Sequence, residues 1–173
     1  MLPGDLYWLK AGGGAVHNEE PRPGSKTHGL QIFVNLPAKL KHDAPASLHI
    51  KSADVPALEG DGYRVRVVLG TSNSIEGAQS PVLPLTILDG KLTAEHLFKH
   101  EAQPNNAVWL YTVQGEFDVQ LSGQTIRLAG GSSIALHGGD DDIQIKLLAA
   151  KDSHFVLIEG ARCAKTSYRR DLS

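Results

Sequence analysis

The sequence predicts an all-β protein. Short runs of alternating apolar and polar residues recur along most of its 173 residues, and glycine-containing turns separate them. One modest helix candidate, residues 52–58, is interrupted by Pro56. Short strands at close and regular spacing with such turns are typical of an antiparallel sandwich or barrel.

The predicted strands begin directly after the turn pair Pro3-Gly4, with residues 6–9. Residues 30–36 form the next apolar run, which ends at Pro37 because proline cannot donate to a strand ladder. Residues 63–69 alternate and stop at Gly70. A run over 82–92 is predicted to break at Pro84 and at the turn pair Asp89-Gly90. The remaining strands are predicted at residues 108–113, 117–121, 126–128, 134–136, 143–148 and 155–158, with Ser122-Gly123 as a hairpin turn.

Composition argues against several classes of partner. The net charge of −2 and the pI near 6.4 offer no bulk attraction to nucleic acid or to an anionic membrane. Cys163 is the only cysteine, so no internal disulfide forms and nothing points to secretion. No apolar stretch reaches membrane-spanning length, and residues 1–4 do not resemble a signal peptide. We therefore expect a cytoplasmic protein with no direct nucleic-acid partner and no membrane partner.

His17 and Glu19 are the candidate metal ligands. Residues i and i+2 of an extended strand point to the same face, so this His-x-Glu pair would present an imidazole beside a carboxylate. Such a pair suits a divalent metal such as iron. Two ligands do not complete a site, and none of the other histidines forms a His-x-His pair. These are His28, His42, His49, His96, His100, His137 and His154.

The first 37 residues resemble the pirin family, whose members are two-barrel proteins of the cupin superfamily. The resemblance lies in motifs that occur in order: Pro3-Gly4-Asp5-Leu6-x-Trp8, Gly12 and Gly14, His17-x-Glu19, and Gly29-Leu30-Gln31-x-x-Val34-Asn35-Leu36-Pro37. Residues 60–160 resemble the second domain of that family by strand pattern more than by motif.

The resemblance implies a fold of cupin-type antiparallel β-barrels and a mononuclear metal, Fe(II), held in the first barrel by three histidines and one glutamate. His17 and Glu19 match two of these ligands, and Glu19 would also act catalytically as the base that takes a proton from a flavonol-like substrate. The family's His-x-His pair lies upstream of the Pro-Gly-Asp turn and has no counterpart here. We therefore expect a first barrel that is incomplete in this chain, with weak iron binding and weakened or absent quercetinase-like dioxygenase activity.

The second barrel is predicted to be complete and without metal ligands. Aligning Gly115 on the glycine that ends the first cupin motif puts Val108 at the position of the carboxylate ligand. Aligning Gly130 on Gly4 makes Ile143 and Ile145 correspond to His17 and Glu19. Apolar residues at ligand positions favour a dry, structural interior.

The resulting domain plan has four parts: residues 1–37 as the remnant of a metal-binding barrel, 38–59 as a linker, 60–160 as the second barrel and 161–173 as a tail. Three interpretations compete. The chain is a pirin-like dioxygenase with a shortened sequence, a non-catalytic regulatory or protein-interaction module of the kind that acts as a transcription cofactor, or a cupin remnant without activity whose unpaired strand edges favour dimerisation. The partner is accordingly a flavonol-like small molecule, a regulatory protein or a second copy of the chain.

Overall fold

The computed structural model describes residues 2–18, 20, 23–24, 26, 28–137 and 140–161. The chain divides into two compact units, residues 1–54 and residues 55–173. Strands dominate the described residues, and antiparallel pairing prevails throughout, which confirms the predicted all-β class. No helix in this part of the chain has the length and apolar character needed to cross a membrane.

The first unit contains one small sheet. Strand β1 (Leu6–Lys10) pairs antiparallel with β2 (Ala46–Ile50), with Trp8 opposite Leu48. A single 3₁₀ turn, Ala38–Leu40, lies between β1 and β2, and a second, Ser52–Asp54, follows β2. The strand predicted over residues 6–9 is confirmed. The helix predicted over residues 52–58 is wrong. Only the 3₁₀ turn Ser52–Asp54 forms there, because Pro56 is incompatible with a continuing helix and residue 57 already belongs to the next strand.

The predicted strand over residues 30–36 is not present. These residues have no regular secondary structure, and Phe33 is 87% exposed. Apolar and β-branched residues favour a strand only when a neighbouring strand accepts their backbone hydrogen bonds, and no described strand pairs with this segment. Local composition was therefore a poor guide here.

The second unit is built from two facing sheets. The larger sheet contains six strands in the order β12-β9-β14-β7-β4-β3, and the smaller contains four in the order β11-β10-β13-β8. A two-stranded hairpin, β5 with β6, follows β4. The strand bounds are β3 (Ala57–Gly60), β4 (Tyr63–Leu69), β5 (Thr71–Ser72), β6 (Ile75–Glu76), β7 (Leu85–Leu92), β8 (Leu97–Ala102), β9 (Asn106–Gln114), β10 (Glu116–Leu121), β11 (Gln124–Ala129), β12 (Ser133–His137), β13 (Ile143–Ala149) and β14 (Ser153–Ala161).

Apolar side chains fill the space between these two sheets. On β14 the inward positions hold Phe155 and Leu157, and on β8 Phe98 faces them from the other sheet. The rings of Phe98 and Phe155 lie 5.8 Å apart, and Phe117 contacts Phe155 edge to face at 6.1 Å. Burying aromatic and aliphatic area of this kind is the main favourable term in folding, so this unit carries the core of the protein.

Asp89-Gly90 does not form the predicted turn, because β7 runs straight through it. A Cβ atom at Gly90 would lie 2.3 Å from the Phe155 ring, so the glycine here makes room for a core aromatic residue. The Ser122-Gly123 turn is confirmed between β10 and β11, and both residues adopt positive φ angles, 47° and 79°.

The four-part domain plan stays a prediction, but the structure shows that the segment predicted as a linker contains strands. The segment predicted as a linker, residues 38–59, contains β2 and most of β3, and the boundary between the two compact units falls within it, after residue 54. β2 belongs to the sheet of the first unit, and β3 is an edge strand of the six-stranded sheet. The sequence did not predict either strand: β2 is largely exposed on one face, and β3 has only four residues, of which Glu59 and Gly60 are exposed.

Candidate functional site

His17 lies in the first unit, after β1, in a stretch of residues 14–18 without regular secondary structure. Its side chain is exposed, and it takes part in an interaction within the protein. Glu19 lies outside the described residues. The strand geometry from which the two side chains were expected to share a face is not found at His17, so their pairing as metal ligands, and the catalytic role of Glu19, stay predictions.

We tested whether the described side chains fit the iron that the family resemblance implies. Within residues 2–18, 20, 23–24, 26, 28–137 and 140–161, no three histidine, cysteine, aspartate or glutamate side chains converge so as to hold a metal ion. His17 is thus not accompanied by a described ligand set. The described residues do not fit a cupin metal centre.

The positions in the second unit that the glycine alignment assigns to cupin ligands are apolar, and they lie in or beside the core. Val108 on β9 is 3% exposed and Ile145 on β13 is 1% exposed, and both belong to the apolar cluster between the sheets. Ile143 packs against the edge of that cluster. Hydrocarbon side chains offer no lone pairs to a cation, so this interior is suited to packing.

One polar cluster interrupts the core, and the sequence analysis did not predict it. Ser72, His100 and Glu159 come from β5, β8 and β14, and each is no more than 2% exposed. His100 Nε2 donates to Glu159 Oε2 at 2.8 Å, and His100 Nδ1 lies 2.9 Å from Ser72 Oγ. The cluster therefore joins the smaller sheet to the larger one and to the β5–β6 hairpin.

Glu159 also anchors the turn between β8 and β9. Its Oε1 accepts the backbone N–H of Gln103 and the side-chain N–H of Asn106, each at 2.7 Å. Burial opposes ionisation of this carboxyl group, but the hydrogen bonds from His100, Asn106 and Gln103 outweigh it and hold its pKa below the ordinary value. The buried side chain is thus a carboxylate that accepts three hydrogen bonds.

The sequence did contain a signal for this cluster. In the β14 alternation the inward positions are Phe155, Leu157 and Glu159, so a carboxylate stands where the pattern calls for an apolar residue. His100 occupies the equivalent inward position after Phe98 on β8. His96, four residues before His100, lies before β8 and contacts Asp61 at 3.4 Å. The two histidines therefore do not form a ligand pair.

A second ion-paired group lies on the other face of the larger sheet. Asp89 on β7 accepts from His154 at 2.6 Å and from Arg66 at 2.8 Å. Burial opposes ionisation of Asp89, and these two donors outweigh it and lower the pKa of the carboxyl group. All three residues lie on adjacent strands, β4, β7 and β14, so the group ties the centre of this sheet together.

Comparison with known proteins relates the chain to the pirins. Human Pirin is 33% identical over 165 residues, which are 92% of this chain and 55% of that protein. A putative quercetin 2,3-dioxygenase of Thermoplasma acidophilum is 35% identical over 91 residues, 45% of this chain and 35% of that protein. No family model matches the chain. The chain spans about half the length of the pirins that it matches.

Solved structures share the fold of this chain. GK1651 from Geobacillus kaustophilus superposes with a TM-score of 0.86 at 25% identity, covering 93% of this chain and 65% of that one. Quercetin 2,3-dioxygenase from Acinetobacter baumannii superposes with a TM-score of 0.63 at 25% identity, covering 74% of this chain and 43% of that one. Both matches, with the antiparallel two-sheet architecture, confirm the predicted cupin β-fold.

Proposed function

This chain is a relative of the pirins over 92% of its residues, and from that relationship we propose a pirin-type cupin protein with little or no quercetinase-like turnover of its own. The observation that carries the proposal is the placement of His17, which is exposed and lies in residues 14–18, outside any strand, and so is not held on the inward face of a barrel strand. The apolar interior of the second unit is a supporting observation, because its described residues offer no replacement ligands at the positions counted from the turn glycines. Val108 and Ile145 stand at ligand positions of the cupin pattern, and both are packed within the hydrophobic core. In this proposal the barrel is a rigid scaffold, and it does not hold a metal.

His17 and Glu19 would then be the residues through which any remaining metal chemistry acts. Metal affinity depends on the number and geometry of the ligands, and a complete four-ligand zinc site is worth roughly 10–16 kcal/mol. A site with half the ligands loses much of this affinity. We therefore expect Fe(II) to bind weakly to the purified chain, and flavonol-like substrates to be oxidised slowly or not at all.

The test is iron content together with oxygen consumption. The chain would be loaded anaerobically with Fe(II), desalted, and supplied with quercetin, and the Acinetobacter baumannii quercetin 2,3-dioxygenase would serve as the active control. We expect well under one iron per chain and oxygen uptake at background. One tightly held iron per chain, with turnover that His17→Ala and Glu19→Gln both abolish, would contradict the proposal and establish an oxygenase.

A second candidate function is a regulatory module that binds a partner protein. It is favoured by the exposed apolar side chains of the first unit, among which Phe33 is 87% exposed and Ile32 and Val34 lie beside it. Contiguous exposed apolar residues are typical of interaction surfaces. A cytoplasmic location belongs to this proposal too, and cell fractionation tests it.

Crosslinking in cell extract tests the second candidate. Phe33→Asp should abolish capture of the partner, whereas Ile126→Asp, at an exposed apolar position of β11, should leave it unchanged. Equal capture by both variants would show that the exposed apolar side chains around Phe33 do not bind the partner. Doubling of the mass of the purified chain in light scattering, reversed only by Phe33→Asp, would show that the partner is a second copy.

A further inference from the structure

The first unit exposes large apolar side chains of a kind that the second unit mostly buries. Among the exposed large hydrophobic residues in the described part of the chain, only Leu97 and Ile126 belong to the second unit. The others all lie in the first unit, and they are Leu2, Tyr7, Leu9, Val16, Leu30, Ile32, Phe33 and Val34. Exposed apolar residues gathered in one part of a protein are typical of an interaction surface.

Strand β1 combines the composition of a covered strand with the position of an edge strand. Residues 6–9 are apolar on both faces, a pattern typical of strands that other elements cover on both sides. Among the described strands β1 pairs only with β2, so its other edge has no strand partner. Natural edge strands are usually protected by a charge, a proline or a bulge. The charge of β1 is that of Lys10, which is already paired with Asp43 at 3.3 Å.

The carboxylate that directly precedes β1 is also engaged within the chain. The Asp5 side chain is 3% exposed, contacts His49 at 2.7 Å and accepts the Ser52 backbone N–H at 2.8 Å. Residues 30–34 contain no charged side chain. Like charges that face each other across an interface are costly, and a surface whose charges are paired internally avoids this cost when it meets a copy of itself. Such a surface offers little to a strongly charged partner.

We propose that β1 and residues 30–34 form the interface of a two-fold dimer of this chain, in which the free edges of the two β1 strands pair. The proposal rests on the second candidate function, since it takes the same exposed residues as a protein-binding surface, and it names the partner as a second copy. A strand that meets its own copy across a two-fold axis perpendicular to the sheet runs antiparallel to it. The dimer therefore contains a four-stranded sheet in the order β2-β1-β1-β2.

The exposed apolar area of these residues is that of a weak dimer. The side chains concerned are 41–87% exposed, and they are Tyr7, Leu9, Leu30, Ile32, Phe33 and Val34. Taking roughly 200 Å² for a fully exposed large side chain, these six present about 600 Å² per copy. Two copies then bury about 1,200 Å², the lower end of the range for specific interfaces. We therefore expect a dissociation constant in the micromolar range, and in more dilute solution a single chain in which Phe33 is exposed.

Sedimentation velocity of the full chain over a range of concentrations tests the dimer. We expect the mass to rise from 18.6 kDa in dilute solution to twice this value, and to fall again on dilution. The mass of a single chain at every concentration up to about 1 mM, where even weak complexes form, would overturn the proposal. A mass that rises beyond two chains would indicate an open, non-closing contact and would contradict the two-fold arrangement.

Two variants and their matched controls locate the interface. Leu9→Lys and Phe33→Asp each place a charge in the proposed contact, and each should raise the dissociation constant at least about tenfold, because the charge would be buried without a partner. Leu97→Lys, on the edge strand β8, and Ile126→Asp, on β11, add the same charges at exposed apolar positions of the second unit. These controls should change the dissociation constant less than about twofold. Equal weakening by a variant and its control would exclude this interface.

Amide exchange tests the pairing of the β1 edges. Exchange in β1 should become slower above the dissociation constant than in dilute solution, while exchange in β14, within the core of the second unit, should not change. A dimer whose β1 amides exchange as fast as those of the single chain would contradict the paired edges. The second candidate function fails or stands separately: a chain that stays single, yet captures a partner from cell extract through Phe33, would overturn the dimer and support a regulatory module.

Discussion

The two units of this chain differ in where their recognisable sequence lies and where their buried side chains lie. Residues 2–37 carry the motifs that resemble the pirins, yet no described residue before Val55 is buried. Residues 55–161 match by strand pattern and contain the whole described core. A motif records residues that a family needs for chemistry or tight turns, whereas a core requires only apolar side chains in the correct alternation.

The contrast also concerns the size of the sheets. A two-stranded sheet such as β1–β2 is marginal in water by itself, whereas two facing sheets enclose apolar side chains from both sides. The aromatic residues Phe98, Phe117 and Phe155 lie between the sheets of the second unit. We therefore expect substitutions in the two units to have very different effects on stability.

The largest effect is expected from truncating a core aromatic residue. Phe155 is fully buried, and Phe155→Ala should lower the free energy of unfolding by about 3–5 kcal/mol, because it removes apolar contact and leaves a cavity. Phe33→Ala, at a site that is 87% exposed, should change it by no more than about 0.5 kcal/mol. Guanidinium chloride unfolding measures both. Similar losses would show that Phe33 is buried in the protein in solution.

A smaller effect is expected from adding one methyl group. A Cβ atom at Gly90 would come 2.3 Å from the ring of Phe155 and 3.0 Å from Val65 Cγ2, so Gly90→Ala should cost about 1–3 kcal/mol through overpacking. Nothing lies within 4 Å of a Cβ at Gly13 in the first unit. Gly13→Ala is therefore the matched control and should leave the thermal midpoint nearly unchanged. An unchanged thermal midpoint for Gly90→Ala would mean that β7 can move away from Phe155 and accommodate the added methyl group without loss of stability.

The third effect depends on pH and on Glu159. Hydrogen bonds from His100, Asn106 and Gln103 hold its pKa below the ordinary value near 4.5 despite the opposing effect of burial. A lowered pKa contributes stability above pH 4.5 that is lost as the pH falls through the folded-state pKa. Glu159→Gln should therefore flatten the decline in stability of the second unit below that pH. Urea unfolding at several pH values measures it, and an equally steep decline in the variant would assign the effect to other carboxyl groups.

These expectations also show how far the sequence could lead. Alternation predicted most strands of the second unit, because each inward residue meets apolar neighbours whatever its partner strand. It missed β3, β8 and the short hairpin strands β5 and β6. It did not predict the partnership of His100 with Glu159, which lie 59 residues apart and meet only when the two sheets face each other. Nor could it predict that residues 30–36 lack a strand, since strand formation depends on a neighbour and the sequence of a segment does not reveal one.

The candidate metal site at His17 and Glu19 stays a prediction. The His-x-Glu pattern identified His17 and Glu19, but the expected strand does not extend to His17, and Glu19 lies outside the described residues. The alignment by glycine positions assigns Val108 and Ile145 to ligand positions, and this assignment stays a prediction; the structure shows that both side chains are buried. Counting along a strand requires that the strand extend to the residue counted, and β1 ends at Lys10, before His17.

The smallest effect is expected from the hydrogen bonds of Asp5, which hold the first unit together locally. Its carboxylate accepts from His49 at 2.7 Å and from the Ser52 backbone N–H at 2.8 Å, and these bonds lower its pKa. Asp5→Asn replaces a carboxylate oxygen in this arrangement, so amide exchange should become faster across β1 and β2. Exchange in β9 and β14 should not change, because those strands are protected by the core of the second unit. Faster exchange in both units would show that they open together, and the contrast between a marginal sheet and an independently stable barrel would then be wrong.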